Sequence, residues 1–157
     1  MKKAILGILL GMAILGQPVQ CRAADAVFPR THEVTVNEFS YDDAQLLMKI
    51  AEAEAGNQGM FGKWLVMCCV VNRANSDSEL WPDTISAVIS QPFQFYAEGI
   101  GKTEISPEAH EALARIEMGD VAPQIVAFEK SSSKELDKYF MKAFEYKDHT
   151  FYTLANN

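Results

Sequence analysis

Between positions 40 and 55 the apolar residues recur with helical spacing. Ala44, Leu47, Ile50 and Ala51 fall on one stripe of a 3.6-residue repeat. Ser40 is a good N-cap, and Asp42 and Asp43 suit the positive end of a helix dipole, so the pattern predicts a helix from Tyr41 to about Glu54. The next run, Met60 to Ala74, is apolar on every side from Trp64 to Val71. Its β-branched content is compatible with a buried strand, but a length of about fifteen residues favours a central helix. After the turn Asn75-Ser76-Asp77-Ser78, Pro82 is suited to open a short helix to Ser90 that turns Ile85, Val88 and Ile89 inward. Residues 91–105 carry three aromatics with Gly99 and Gly101 and read as an irregular binding loop. Ser106-Pro107-Glu108 then opens a firm helix that stops at Gly119. Beyond it the period changes. Gln124 to Phe128 and Thr150 to Leu154 read as short strands, and the stretch between them carries no clear signal. The expected fold class is α+β, a helix-rich single domain with a small late β-sheet.

The first residues have a different character. Lys2 and Lys3 precede an apolar run from Ala4 to Leu15, and Ala23-Ala24-Asp25-Ala26 offers a cleavage site. The pattern predicts a signal peptide over 1–26, a lead-in over 27–39 and one domain over 40–157. The apolar run is too short for a stable membrane span, so a secreted or cell-envelope protein is expected. Cys21 invites a lipid anchor, but Gln20 is too large for the position before a lipidated cysteine. In the lead-in, Val34-Thr35-Val36 alternates and reads as a tether or an edge strand. The full chain has a net charge of −7, and removing three basic residues and one acid with the leader makes the remainder more acidic. No basic patch survives, which argues against nucleic acid as a partner. Cys68 and Cys69 are adjacent inside the most apolar run and read as small core residues rather than a disulfide.

Within this frame Glu54 stands out. It lies three residues after Ala51 and seven after Leu47, along the apolar stripe, whereas Glu52 projects with Gln45, Met48 and Lys49 on the wetter side. Two readings of Glu54 stand. A carboxylate driven into an apolar face either loses its charge or finds partners, and a raised pKa would make it a general acid. Alternatively the helix frays before Gly56 and leaves the side chain in water.

The residues that follow bear on this choice. Glu54-Ala55, Gly62, Asn72-Arg73, Trp81-Pro82, Gln94-Phe95 and His149-Thr150-Phe151-Tyr152 come in order, with Gly62 eight residues after Glu54 and Asn72-Arg73 eighteen and nineteen after it. In these motifs the chain resembles the spore-cortex-lytic type of cell wall hydrolases over about Leu46 to Tyr152. The resemblance implies a lysozyme-like domain that cuts peptidoglycan glycan strands as a lytic transglycosylase. No metal or cofactor is expected, and the expected state is a monomer. It implies Glu54 as the catalytic glutamate, with Gln94, Phe95, His149, Asn72 and Tyr152 as candidate substrate contacts. Glu52→Gln is then expected to do little.

One position departs from the pattern. Many relatives carry a second glutamate four residues after the first, where this chain has Gln58. Ordinary glycoside hydrolysis needs two carboxylates, whereas lytic cleavage can use one as acid and then base; an Asp or Glu elsewhere in the chain is the alternative source of a second carboxylate. Most of the other motif residues also have a structural reading. Asn72 is placed to cap helix carbonyls, Arg73 suits a helix C-terminus, and Gln94, Phe95 and His149 are divided between substrate contact and bracing. Three rival readings stand beside this one. A cysteine peptidase needs its thiol at a helix start, not in mid-helix. A zinc hydrolase needs a second histidine four residues after His110. The third rival, a non-catalytic wall-binding protein, would keep the same fold.

Overall fold

The computed structural model describes residues 39–95 and 97–154. The signal peptide expected at 1–26 and the lead-in up to residue 38 lie outside the described residues. Ser40 caps the first helix, α1 (Tyr41–Ala55), its Oγ accepting from the Asp43 N–H at 3.1 Å. The helix buries Leu47, Met48, Ile50, Ala51 and Ala55. A single 3₁₀ turn, Gly56–Gln58, leads directly into α2 (Gly59–Ala74). Every residue of α2 from Gly62 to Val71 is buried. An all-round apolar helix of this kind is the core of the domain, with other elements packed on each side. Here α1, α4 (Pro107–Glu117), a short α3 (Ile85–Ile89) and the first strand supply that cover.

The helix starts follow their caps. In α4 the Ser106 Oγ accepts from the Ala109 N–H at 3.3 Å with Pro107 at the first position, and Ala109, Ala112, Leu113 and Ile116 face the core. α3 differs from expectation. It begins at Ile85 rather than Pro82, because Thr84 Oγ1 takes the Ala87 N–H at 3.3 Å and sets the first turn there. Ile85, Val88 and Ile89 are buried as the pattern indicated.

The sheet has three strands, β1 (Ile125–Lys130), β2 (Met141–Tyr146) and β3 (His149–Thr153), in the order β1-β3-β2 with both pairs antiparallel. The middle strand β3 is buried from His149 to Tyr152, and Phe151 stacks on Phe144 at 5.2 Å. β2 was not legible in the sequence. It lies at the sheet edge with only Phe144 and Tyr146 partly covered, so its side chains give little alternation. Its hairpin loop, Lys147-Asp148, places Lys147 at φ 49 without the glycine that usually announces such a turn. The expected α+β class, helix-rich with a small late sheet, is what the chain adopts. No helix among the described residues is long and apolar enough to cross a membrane.

Candidate active site

The end of α1 corrects one expectation. Glu52 is not on a wet face: its side chain is only 10 % exposed. One oxygen accepts from the N–H and the hydroxyl of Ser106, and the other lies 3.6 Å from Lys63 Nζ, itself 3 % exposed. Lys63 also donates to the Gly56 carbonyl at 3.2 Å. The reason is that α1 packs against α4 as well as α2, so a second flank is covered, and Met48 is buried there too. Glu52 therefore ties the N-terminus of α4, the flank of α2 and the turn after α1 into one network. Glu54 occupies the last turn of α1 at the end of the Leu47–Ile50–Ala51 stripe, and it is half-buried.

The turn that follows is built around Gln58, which is 2 % exposed. Its Nε2 lies 3.0 Å from His149 Nδ1, and its carbonyl accepts from Lys147 Nζ at 2.7 Å and from the Tyr146 hydroxyl at 3.5 Å. The β2–β3 hairpin thus docks onto the turn next to Glu54. Two glycines make this approach possible. Gly59 sits at φ +70, and a Cβ on Gly62 would lie 2.5 Å from the Gln58 Cβ. That contact is the physical reason for a glycine eight residues after Glu54. Burial pushes the His149 pKa down from 6.5, opposed by Asp148 and aided by Lys130, so the ring is neutral at pH 7.

From His149 the contacts run to the loop motif. The Phe128 ring lies 5.1 Å from His149 and 6.2 Å from Phe95. Gln94 Oε1 accepts from Arg73 Nη1 at 3.0 Å, so Gln94, Phe95 and His149 belong to one neighbourhood. Asn72 and Tyr152 do not join it as open groups. Asn72 Nδ2 donates to the carbonyls of Ala122 and Ile125, both at 2.8 Å, and fastens α2 to the start of β1. Tyr152 is 1 % exposed, with its hydroxyl 2.7 Å from Glu129 and 2.9 Å from Asp137. Arg73 is more than a favourable charge at a helix end: it is 4 % exposed and lies over the rings of Phe95 and Trp81. Tyr96, a further loop aromatic, lies outside the described residues.

Cys68 and Cys69 are buried in mid-helix and form no disulfide. Burial pushes the Cys69 thiol up to about 12 and Cys68 well above its ordinary value, so neither is a thiolate nucleophile. The cysteine peptidase reading has no site here.

A profile of cell wall hydrolases matches residues 57–152. The chain belongs to the cell wall hydrolase family. As a member it is an enzyme that cleaves peptidoglycan. Two solved structures share the fold. One is the catalytic domain of the Bacillus cereus SleB protein, at 21 % identity and TM-score 0.63, covering 74 % of this chain and 94 % of that one. The other is the catalytic domain of the germination-specific lytic transglycosylase SleB from Bacillus anthracis, at 20 % identity and TM-score 0.64, covering 74 % and 98 %. No curated protein matches the sequence. The matched family segment takes in Gly62, Asn72-Arg73, Gln94-Phe95 and His149 to Tyr152, and it begins three residues after Glu54.

Proposed function

We propose that this cell wall hydrolase, exported to the envelope and acting as a monomer, cuts the glycan strand by lytic transglycosylation with Glu54 as its catalytic group. As an acid, Glu54 gives its proton to the glycosidic oxygen and the C1–O bond breaks. As a carboxylate, it then takes the proton of the C6 hydroxyl of N-acetylmuramic acid while that oxygen closes on C1. The products are a free hydroxyl on one fragment and a 1,6-anhydro end on the other, and Glu54 regains its proton. One observation carries the assignment. Glu52, the neighbouring acid, is committed to Ser106 and Lys63, and the position one turn after Glu54 is Gln58, whose amide does not ionise and is no general acid or base. Hydrolysis through a second carboxylate would need an acid that this end of α1 does not provide.

The test is mass spectrometry of digested sacculi. Anhydro-muramyl ends support the lytic route, and reducing ends sink it. Glu54→Gln is expected to lower cleavage by about 10²–10⁴-fold with the fold retained. Near wild-type release of fragments by that variant would remove Glu54 from the reaction.

A further inference from the structure

The chain contains two arginines held in the same way, and they differ in one respect. The Arg115 guanidinium lies over Trp64 at 4.4 Å and Phe61 at 5.8 Å, and it pairs with Asp120 at 2.5 Å. Arg73 lies over Phe95 at 5.1 Å and Trp81 at 5.6 Å and is more deeply enclosed, 4 % exposed. Its Nε donates to the Val126 carbonyl and its Nη1 to Gln94, both neutral acceptors. Among the described residues no carboxylate comes within ion-pair distance of Arg73. Burial lowers the Arg73 pKa, opposed by Cys69, yet a guanidinium stays charged at any working pH. A buried cation with no counterion is costly and becomes favourable when an anion arrives in good geometry.

Arg73 lines a cavity of about 470 Å³ together with Trp81, Phe93, Gln94, Phe128 and Tyr139. That volume suits a sugar-sized ligand, since small-molecule sites run to roughly 300–1,000 Å³. Two of these rings face water: Phe93 is 103 % exposed and Tyr139 72 % exposed. Phe93 is also held at φ 64, a backbone conformation that L residues rarely adopt. Strain kept in order to hold an apolar ring in solvent points to a binding surface. The cavity has one acid, Glu129, and its oxygens already accept from Ser133, Tyr152 and the N–H groups of Glu135 and Leu136. Phe128 connects the cavity to His149 and so to the Gln58 turn.

We propose that this cavity is a subsite for the muramyl unit, in which Arg73 pairs with a carboxylate carried on the muramyl substituent while the exposed rings cover the sugar. This rests on the glycan-cleaving reading above. The carboxylate is either the bare lactyl group or the acid of an attached stem peptide. A strand whose muramyl substituent has no carboxylate would forfeit the contact. In a chain of net charge −7, this buried cation gives an anionic group a place where it is attracted.

Calorimetric titration of the wild-type protein with three monosaccharide probes tests the proposal. N-acetylmuramic acid carries the lactyl carboxylate, muramyl dipeptide moves the carboxylate to the stem, and the methyl amide of N-acetylmuramic acid has none. At least one acid probe should bind about tenfold tighter than the methyl amide, as for a charge-assisted hydrogen bond, and the tighter of the two names the source. Equal binding of all three overturns the proposal. None of the probes has a glycosidic bond to cut, so failure here leaves the Glu54 assignment standing, and failure of Glu54 leaves this one standing. Gln94→Glu supplies the arm that needs nothing removed from the core. It sets an internal carboxylate beside Arg73, as Asp120 does for Arg115, and should hold or raise the melting temperature while abolishing the preference for acid probes. Retention of that preference in Gln94→Glu would also overturn the proposal.

Discussion

Replacing Glu52 with glutamine tests whether this acid is purely structural. The substitution keeps the shape of the side chain and an acceptor for Ser106, but removes the charge facing Lys63 Nζ at 3.6 Å. With the two side chains 10 % and 3 % exposed, solvent cannot take over the lost partner. Stranding one member of a buried pair costs about 3–5 kcal/mol. Lys63 keeps the Gly56 carbonyl at 3.2 Å, which offsets part of this cost, so we expect a smaller loss of about 2–3 kcal/mol. For a domain of this size that corresponds to a fall of about 10 °C in melting temperature. Circular dichroism melts at pH 7 measure it, and cleavage assays at 20 °C should show activity per folded molecule within about threefold of wild type. Lys63→Met in the Glu52→Gln background should restore much of the loss, because the uncompensated charge is then gone. A Glu52→Gln melting temperature within about 2 °C of wild type would refute the account of this network.

Two further outcomes follow from the site. Gly62→Ala drives a methyl to 2.5 Å from the Gln58 Cβ, so the α2 start and the turn must separate. We expect a loss of about 1–3 kcal/mol in urea unfolding together with reduced cleavage, and full stability would contradict the close approach. His149 has a folded pKa below 6.5, so the unfolded chain binds more protons in the window beneath that value. Its contribution to stability is present above pH 6.5 and is lost as the pH falls towards the folded pKa. Melting temperatures between pH 7 and 5 should show this loss, and His149→Gln should remove it.

The helices were readable because their signals are local. Ser40, and Ser106 with Pro107, mark starts that hold in the structure, and the Leu47–Ile50–Ala51 spacing fixes the inner face of α1. The all-apolar α2 was resolved by its length. What the sequence hid depends on partners far along the chain. Glu52 looked wet because Ser106, 54 residues later, is not visible from a local period. The Gln58–His149 contact spans 91 residues, and the role of Gly62 appears only once that turn is in place. The edge strand β2 was missed for a different reason: one side of it faces water and its turn lacks glycine. Among the candidate contacts, Gln94, Phe95 and His149 converge, whereas the polar groups of Asn72 and Tyr152 are taken up by the fold itself.

The docking of the β2–β3 hairpin onto the Gln58 turn also has a consequence in time. The turn beside Glu54 is held by Tyr146, Lys147 and His149, which leave the ribosome long after α1. Loop closure over such a distance comes late in folding. A chain that has made α1 but not yet residue 149 has the helix without the contacts that fix the turn after it. The last turn of α1 and the hairpin therefore reach their final packing together, as one late event.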